Sequence, residues 1–174
     1  MDSDSQLAAY IAMDDIRKIL QTGIFTKGNA QNPLMPPAFI SVLISLRDLM
    51  YKCEKFAARI AFTDDINLST KVNDVSALIK HVRDALCHPD SDNHNLSENI
   101  MISFSVVWGK GIVLETDDHK IESIYEDDVC FFFGQHGIYL RRHIIRAIEE
   151  ARILLLPKMD ESYAYLLKGI SFDY

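Results

Sequence analysis

Residues 72–89, VNDVSALIKHVRDALCHP, form the stretch that decides the fold of this chain. Its apolar side chains recur at spacings of three and four residues, which predicts a helix with one buried stripe. The stripe consists of Val72, Val75, Ile79, Val82 and Leu86. We expect the helix to span about residues 70–87. Pro89 disfavours helical geometry at the residue before it, so His88 should lie where the helix ends.

Three polar residues off this stripe suggest chemistry: Arg83, Asp84 and His88. Arginine is a permanent cation whose donors suit phosphate, and histidine exchanges protons near neutral pH. A phosphate binder beside a general acid/base suffices to cleave RNA, because the 2′-hydroxyl is the nucleophile and no metal is required. The alternative is structural: both side chains would cap carbonyls and pair with Asp84 or Asp90.

The same periodicity predicts three more helices and a short last turn: residues 6–21, 38–62, 138–156 and 163–167. Gly23 suits the end of the first helix, Pro37 suits the start of the second, and Pro157 ends or kinks the last. Residues 39–46 are apolar on nearly every side. This predicts burial within a helical bundle or at a dimer seam.

The segment between the third and fourth helices changes to the period-2 alternation of strands. Residues 102–108 alternate in this way, and residues 112–114 and 129–133 are further strand candidates. Gly109 and Gly111 end the first strand but lack the spacing of a phosphate-binding loop. We expect a small antiparallel insertion over about residues 99–134.

The motif helix and its neighbours resemble the HEPN superfamily of helical-bundle proteins. The family signature is an arginine, usually followed by a polar residue, and a histidine four to six positions after the arginine; here these are Arg83, Asp84 and His88. The resemblance implies a mainly α, up-and-down bundle of four or five helices in one domain, residues 1–174. The helical core would comprise residues 6–88 and 137–168, with the β insertion before the last long helix.

Members of the HEPN superfamily are often metal-independent endoribonucleases of toxin–antitoxin or phage-defence systems, acting as dimers. The resemblance implies that Arg83 and His88 are catalytic, that Asp84 supports them, and that no cofactor is used. The implied partners are a second copy of the chain, an RNA substrate and an antitoxin protein. In one toxin group a tyrosine two positions after the histidine is modified by its antitoxin, but Asp90 stands there in this chain. The alternative function is a non-catalytic interaction module or a nucleotide- or RNA-binding module.

The composition is that of an ordinary globular chain, with 48% hydrophobic and 25% charged residues. No stretch is long and apolar enough for a membrane span, the acidic N-terminus lacks a signal-peptide pattern, and three scattered cysteines favour the reducing cytoplasm. The net charge of −7 argues against a general nucleic-acid-binding surface. The possible local RNA contacts are Arg141, Arg142 and Arg146, although a solvated face balanced by Glu149 and Glu150 is equally compatible.

Other polar clusters favour structural interpretations. The alternation of His88, Asp90, Asp92 and His94 is more typical of turns than of a metal site, so we expect no metal. We expect Cys87 to be a packed thiol. The acidic stretches 117–119 and 126–128 are expected to be solvated loops, although Asp128 is placed to accept bonds from the basic helix.

Overall fold

The computed structural model describes residues 1–88, 92–97 and 100–172, except for the side chains of residues 92 and 97. The chain divides into two compact units, Met1–Phe62 with Ile145–Tyr174, and Thr63–Ile144. The prediction of a single domain over residues 1–174 stays a prediction. No helix in the described part of the chain is long and apolar enough to cross a membrane.

Five α-helices lie in the described residues: α1 Ser3–Gln21, α2 Met35–Phe56, α3 Val75–Cys87, α4 Arg146–Leu155 and α5 Glu161–Lys168. In the first unit, α2 packs against α1 and α4, and α5 packs against α1. The third helix, α3, belongs to the second unit, where it packs beside the strands.

The first and third helices begin at carboxylate caps. Asp2 accepts the backbone N–H of Ser5 at 2.8 Å, so α1 starts at Ser3, three residues earlier than predicted. Asp74 accepts the N–H of Ala77 at 2.7 Å, and α3 therefore starts at Val75 rather than at residue 70.

The second helix differs from its prediction at both ends. Pro36 and Pro37 occupy its first turn, so α2 begins at Met35, three residues earlier than predicted. It ends at Phe56, whereas the helix was predicted to reach residue 62. Ile60 is buried although it lies outside the helix. An apolar residue at helical spacing therefore indicates burial here and not helical structure.

Residues 39–46 lie mostly in the interior of the chain. Phe39, Val42, Leu43 and Leu46 are fully buried, whereas Ile44 is 51% exposed. The rings of Phe25 and Phe39 meet edge to face with centroids 6.3 Å apart. The apolar excess of this segment is therefore largely used by the chain's own core.

The described residues of the second unit form seven strands: β1 Asn95–Ser97, β2 Ile100–Met101, β3 Ser105–Trp108, β4 Gly111–Glu115, β5 Lys120–Ser123, β6 Val129–Phe133 and β7 His136–Tyr139. They form a three-stranded sheet in the order β3-β6-β7, a hairpin β4-β5 and a short pair β1-β2, all antiparallel. Antiparallel structure between the third and fourth helices is thus confirmed. It extends over residues 95–139, beyond the predicted 99–134.

The start of the last helix was predicted wrongly. Residues 138 and 139 belong to β7, which follows β6 after the two-residue turn of Gly134 and Gln135, with φ of +52° at Gly134. A single stretch of π-helix, Leu140–Ile145, then leads into α4. Ile138 and Tyr139 are apolar and buried, so they satisfy a strand as well as a helical stripe.

Candidate functional site

The C-terminal end of α3 carries the candidate catalytic residues. His88 is the C-cap, with an extended backbone at φ −129° and ψ 90° and an exposed side chain. Its backbone N–H donates to the carbonyl oxygens of Asp84 at 3.1 Å and Ala85 at 3.3 Å. The prediction that the helix ends before His88, and that this residue leaves helical geometry, is confirmed.

The guanidinium of Arg83 is held by the next residue in the chain. Its Nη1 lies 2.9 Å from Oδ1 of Asp84, and the two side chains are 33% and 34% exposed. This contact belongs to both interpretations of the motif, because Asp84 can orient Arg83 for chemistry or simply neutralise it. The catalytic and the structural interpretation are therefore distinguished by which groups bond the carbonyls at the end of α3.

A different histidine holds a carbonyl at the end of α3. Nε2 of His94 lies 2.9 Å from the carbonyl oxygen of Ala85, and the ring is only 6% exposed. Since a carbonyl accepts, Nε2 carries the proton. His94, considered above as a metal ligand, is therefore a structural cap, and the described residues contain no cluster of three candidate ligands. Asp90 lies outside the described residues.

A pair of histidines on α3 and β7 was not foreseen from the sequence. The rings of His81 and His136 lie 4.9 Å apart, and His136 is 2% exposed. Burial and, to a smaller extent, the neighbouring His81 lower the pKa of His136 to about 4. A hydrogen bond with the Asn67 backbone acts in the opposite direction and raises this pKa. Burial and then Lys71 lower the pKa of His81. Both rings are therefore neutral at neutral pH. No signal in the sequence marks this contact, because the two histidines lie far apart along the chain.

Asp128 organises the predicted basic stretch. Its carboxylate is fully buried and accepts the backbone N–H groups of Arg141 at 2.9 Å and Arg142 at 3.1 Å, together with Nη1 of Arg142 at 3.0 Å. The expectation that Asp128 accepts bonds from this helix is confirmed. The expectation of a solvated loop is wrong for Asp128, because these donors replace water, although Asp127 is 67% exposed.

The three candidate RNA-contacting arginines differ in how much of each is already engaged. Arg142 lies 3.6 Å over the ring of Tyr125 and also pairs with Asp127. Burial acts to lower the pKa of Arg142, but its two carboxylate partners outweigh this and raise it. Arg146 bonds Glu150 at 3.0 Å, and the side chain of Arg141 is exposed. RNA contact by Arg141, Arg142 and Arg146 stays a prediction.

The three cysteines are free, and their exposure differs from the expectation. Cys87 is exposed, so its prediction as a packed thiol is wrong. It is the last residue of α3. Cys53 and Cys130 are buried, and burial raises the pKa of Cys53 to about 12.

In comparisons with known proteins, the chain matches no protein-family model, no curated protein and no solved structure.

Proposed function

We propose that this chain is a metal-independent endoribonuclease with a HEPN-like helical bundle. One observation supports this above the rest: among the described residues, the carbonyls at the end of α3 are bonded by other groups. The backbone of His88 and the ring of His94 bond the last carbonyls, while the side chains of Arg83 and His88 stay accessible to solvent. A residue pair kept only for structure would be expected to make those contacts itself.

The proposed chemistry divides the roles between the two side chains. Arg83 binds the scissile phosphate and stabilises the negative charge that develops in the transition state. His88 accepts the proton of the 2′-hydroxyl or donates one to the leaving 5′-oxygen. Asp84 positions the guanidinium through its 2.9 Å contact. The products would be a 2′,3′-cyclic phosphate and a 5′-hydroxyl.

A homodimer would complete the site. One chain brings one exposed imidazole at this helix end, whereas acid and base steps are best served by two groups in different protonation states. A two-fold dimer with an isologous interface would place two His88 side chains in one cleft. Exposed apolar side chains on α1 and α2 offer candidate surface: Leu7, Ile11, Ile44 and Tyr51.

Oligomeric state tests the composite site directly. Light scattering at micromolar concentration should give twice the chain mass, and Ile44→Glu should lower it. A monomer that cleaves RNA at full rate would contradict the composite site while leaving the roles of Arg83 and His88 open.

RNA would have to be held locally because the chain carries a net charge of −7. Arg141, Arg142 and Arg146 are the proposed RNA contacts, and Arg142 and Arg146 would have to exchange their carboxylate partners for phosphate. Free cysteines fit the reducing cytoplasm, where we place the reaction. An antitoxin protein is the proposed inhibitory partner.

Cleavage of a mixed RNA pool in the presence of a chelator tests the function. Wild-type protein should cleave, and Arg83→Ala and His88→Ala should each lose at least about a hundredfold in rate, since acid–base catalysis contributes about 10²–10⁴-fold. Arg59→Ala and His119→Ala are matched controls in other parts of the chain and should retain activity. Activity that requires added metal, or that survives both motif substitutions, would exclude the mechanism.

The competing function is a non-catalytic binding module, which the acidic charge and the Arg83–Asp84 pair favour. In that case the motif would stabilise the helix end, and its truncation would lower the melting temperature. For the enzyme, truncation of His88 should leave stability nearly unchanged while abolishing cleavage.

A further inference from the structure

A cleft of about 240 Å³ opens in the second unit and belongs to none of the roles above. It is lined by side chains of the loop at residues 65–67, of the hairpin β4-β5 and of strands β6 and β7. Its rim is polar, with Asp65, Asn67, Glu122 and Gln135. Its floor is apolar, with the buried rings of Phe132 and Tyr139. A flat molecule with an apolar face and a polar edge fits this division.

The floor is fixed by a close approach between two strands. Phe132 pairs across the sheet with Gly137, and a Cβ at Gly137 would lie 2.9 Å from Cε1 of the Phe132 ring. Glycine thus lets this ring lie directly against β7. The Tyr139 hydroxyl accepts the backbone N–H of Ile124 at 3.2 Å, which fixes the second ring. Both rings of the floor are therefore held in place before any ligand binds.

The rim carboxylate of Asp65 is also fixed in advance. Asp65 has a left-handed backbone with φ of +59°, and its Oδ1 accepts a hydrogen bond from the hydroxyl of Tyr125. That bond raises the pKa of Tyr125, so the hydroxyl remains a donor. His143 donates from Nε2 to the carbonyl oxygen of Asp64 at 3.0 Å and holds the preceding residue. A carboxylate oriented in this way loses little entropy on binding.

The charges of the rim select against phosphate as the bound group. Glu122 is paired with Lys120 at 2.8 Å, so the cation is already neutralised. Asp65 is bonded to the uncharged hydroxyl of Tyr125. The cleft therefore offers a carboxylate acceptor to a ligand with neighbouring N–H donors.

We propose that this cleft binds an unstacked guanine base of single-stranded RNA, a proposal that rests on the proposed function for the identity of its ligand. Guanine alone among the four bases presents two adjacent N–H donors, N1–H and the 2-amino group, to one carboxylate. The base would lie over Phe132 and Tyr139. The amide of Asn67 lies 3.4 Å from the Gln135 carbonyl oxygen and that of Gln135 lies 3.4 Å from His136 Nε2, so each would offer its second N–H to the O6 or N7 acceptor of the base. Gln135 directly precedes His136, whose ring contacts His81 of α3, so the cleft and the motif helix are joined within one unit.

Mononucleotide binding tests the cleft independently of cleavage. Calorimetry in chelator should show guanosine monophosphate binding at least about tenfold more tightly than the adenosine, cytidine and uridine monophosphates, as expected for a bidentate contact. Asp65→Asn should remove that preference, because an amide places a donor against the donors of guanine. Asparagine tolerates a left-handed backbone, so the variant should fold, which its melting temperature verifies. Asp117→Asn, in an exposed turn, is the matched control and should bind like wild type.

The outcomes separate the cleft from the proposed reaction. Equal affinity for the four nucleotides, or an unchanged preference in a folded Asp65→Asn variant, would overturn the guanine cleft even if RNA is cleaved through His88. Guanine binding through Asp65 without any RNA cleavage would establish the cleft and refute the ribonuclease.

Discussion

The Nε2 of His94 lies 2.9 Å from the carbonyl oxygen of Ala85 and so holds the end of α3. Ala85 is three residues before His88, the last residue of the Arg83–His88 motif. Because His94 is buried and bonded, His94→Ala should lower the free energy of unfolding by about 1–3 kcal/mol. His88→Ala removes an exposed ring and should stay within about 0.5 kcal/mol of wild type. Urea unfolding of the two variants measures both values. The reverse order would favour a structural role for His88.

Asp128 should be essential for the start of the π-helix Leu140–Ile145, which leads into α4. Its buried carboxylate accepts backbone and guanidinium donors of Arg142, so Asp128→Ala leaves these groups without their acceptor. We expect a loss of about 3–5 kcal/mol in unfolding free energy. Asp127→Ala is the matched control, since Asp127 is 67% exposed and should change stability by no more than about 0.5 kcal/mol. A similar effect of the two substitutions would contradict this role of Asp128.

Stability should fall on acidification because of the buried His81–His136 pair. The pKa of His136 is about 4 in the folded chain and 6.5 as an ordinary value, so the unfolded chain binds the proton first. The contribution of His136 to the free energy of unfolding is fully present above pH 6.5. It is lost as the pH falls from 6.5 to about 4, and the loss is at most about 3 kcal/mol. The groups around the pair are Lys71 and Asp84 near His81, and the Asn67 backbone and Gln135 near His136.

Melting temperatures measured between pH 7.5 and 4 check this prediction. Carboxylates titrate in the same range, so the comparison is between slopes. His136→Gln, which does not titrate, should show a shallower decline than wild type. Parallel curves for the two proteins would show that His136 does not contribute to the pH dependence.

The thiols should react in two classes. Cys87 is exposed, whereas Cys53 and Cys130 are buried and burial raises the pKa of both. A thiol reagent at pH 8 should label one cysteine of the native chain rapidly and three after denaturation. Cys87→Ser should abolish the fast phase. Two or more rapid thiols in the wild-type protein would contradict the burial of the others.

The helical periodicity around α3 was predictable because its apolar stripe and Pro89 act locally. Strand β7 was not predictable, because Ile138 and Tyr139 fit a helix stripe equally well and only pairing with β6 decides between them. The role of Asp128 as an acceptor was predictable because its acidic stretch and the basic stretch at Arg141 and Arg142 are opposite in charge, and only the β6-β7 hairpin separates them. Contacts between distant segments, such as His81 with His136 or Tyr125 with Asp65, left no signal in the sequence.

The most direct measurement uses two short RNAs of identical sequence, one of them with a 2′-deoxy sugar at the position that wild-type protein cleaves. In chelator, the all-ribose strand should give a 2′,3′-cyclic phosphate and a 5′-hydroxyl, the deoxy strand should stay intact, and His88→Ala protein should cleave neither. Cleavage of the deoxy strand, 5′-phosphate ends, or wild-type rates from His88→Ala protein would contradict the proposed reaction.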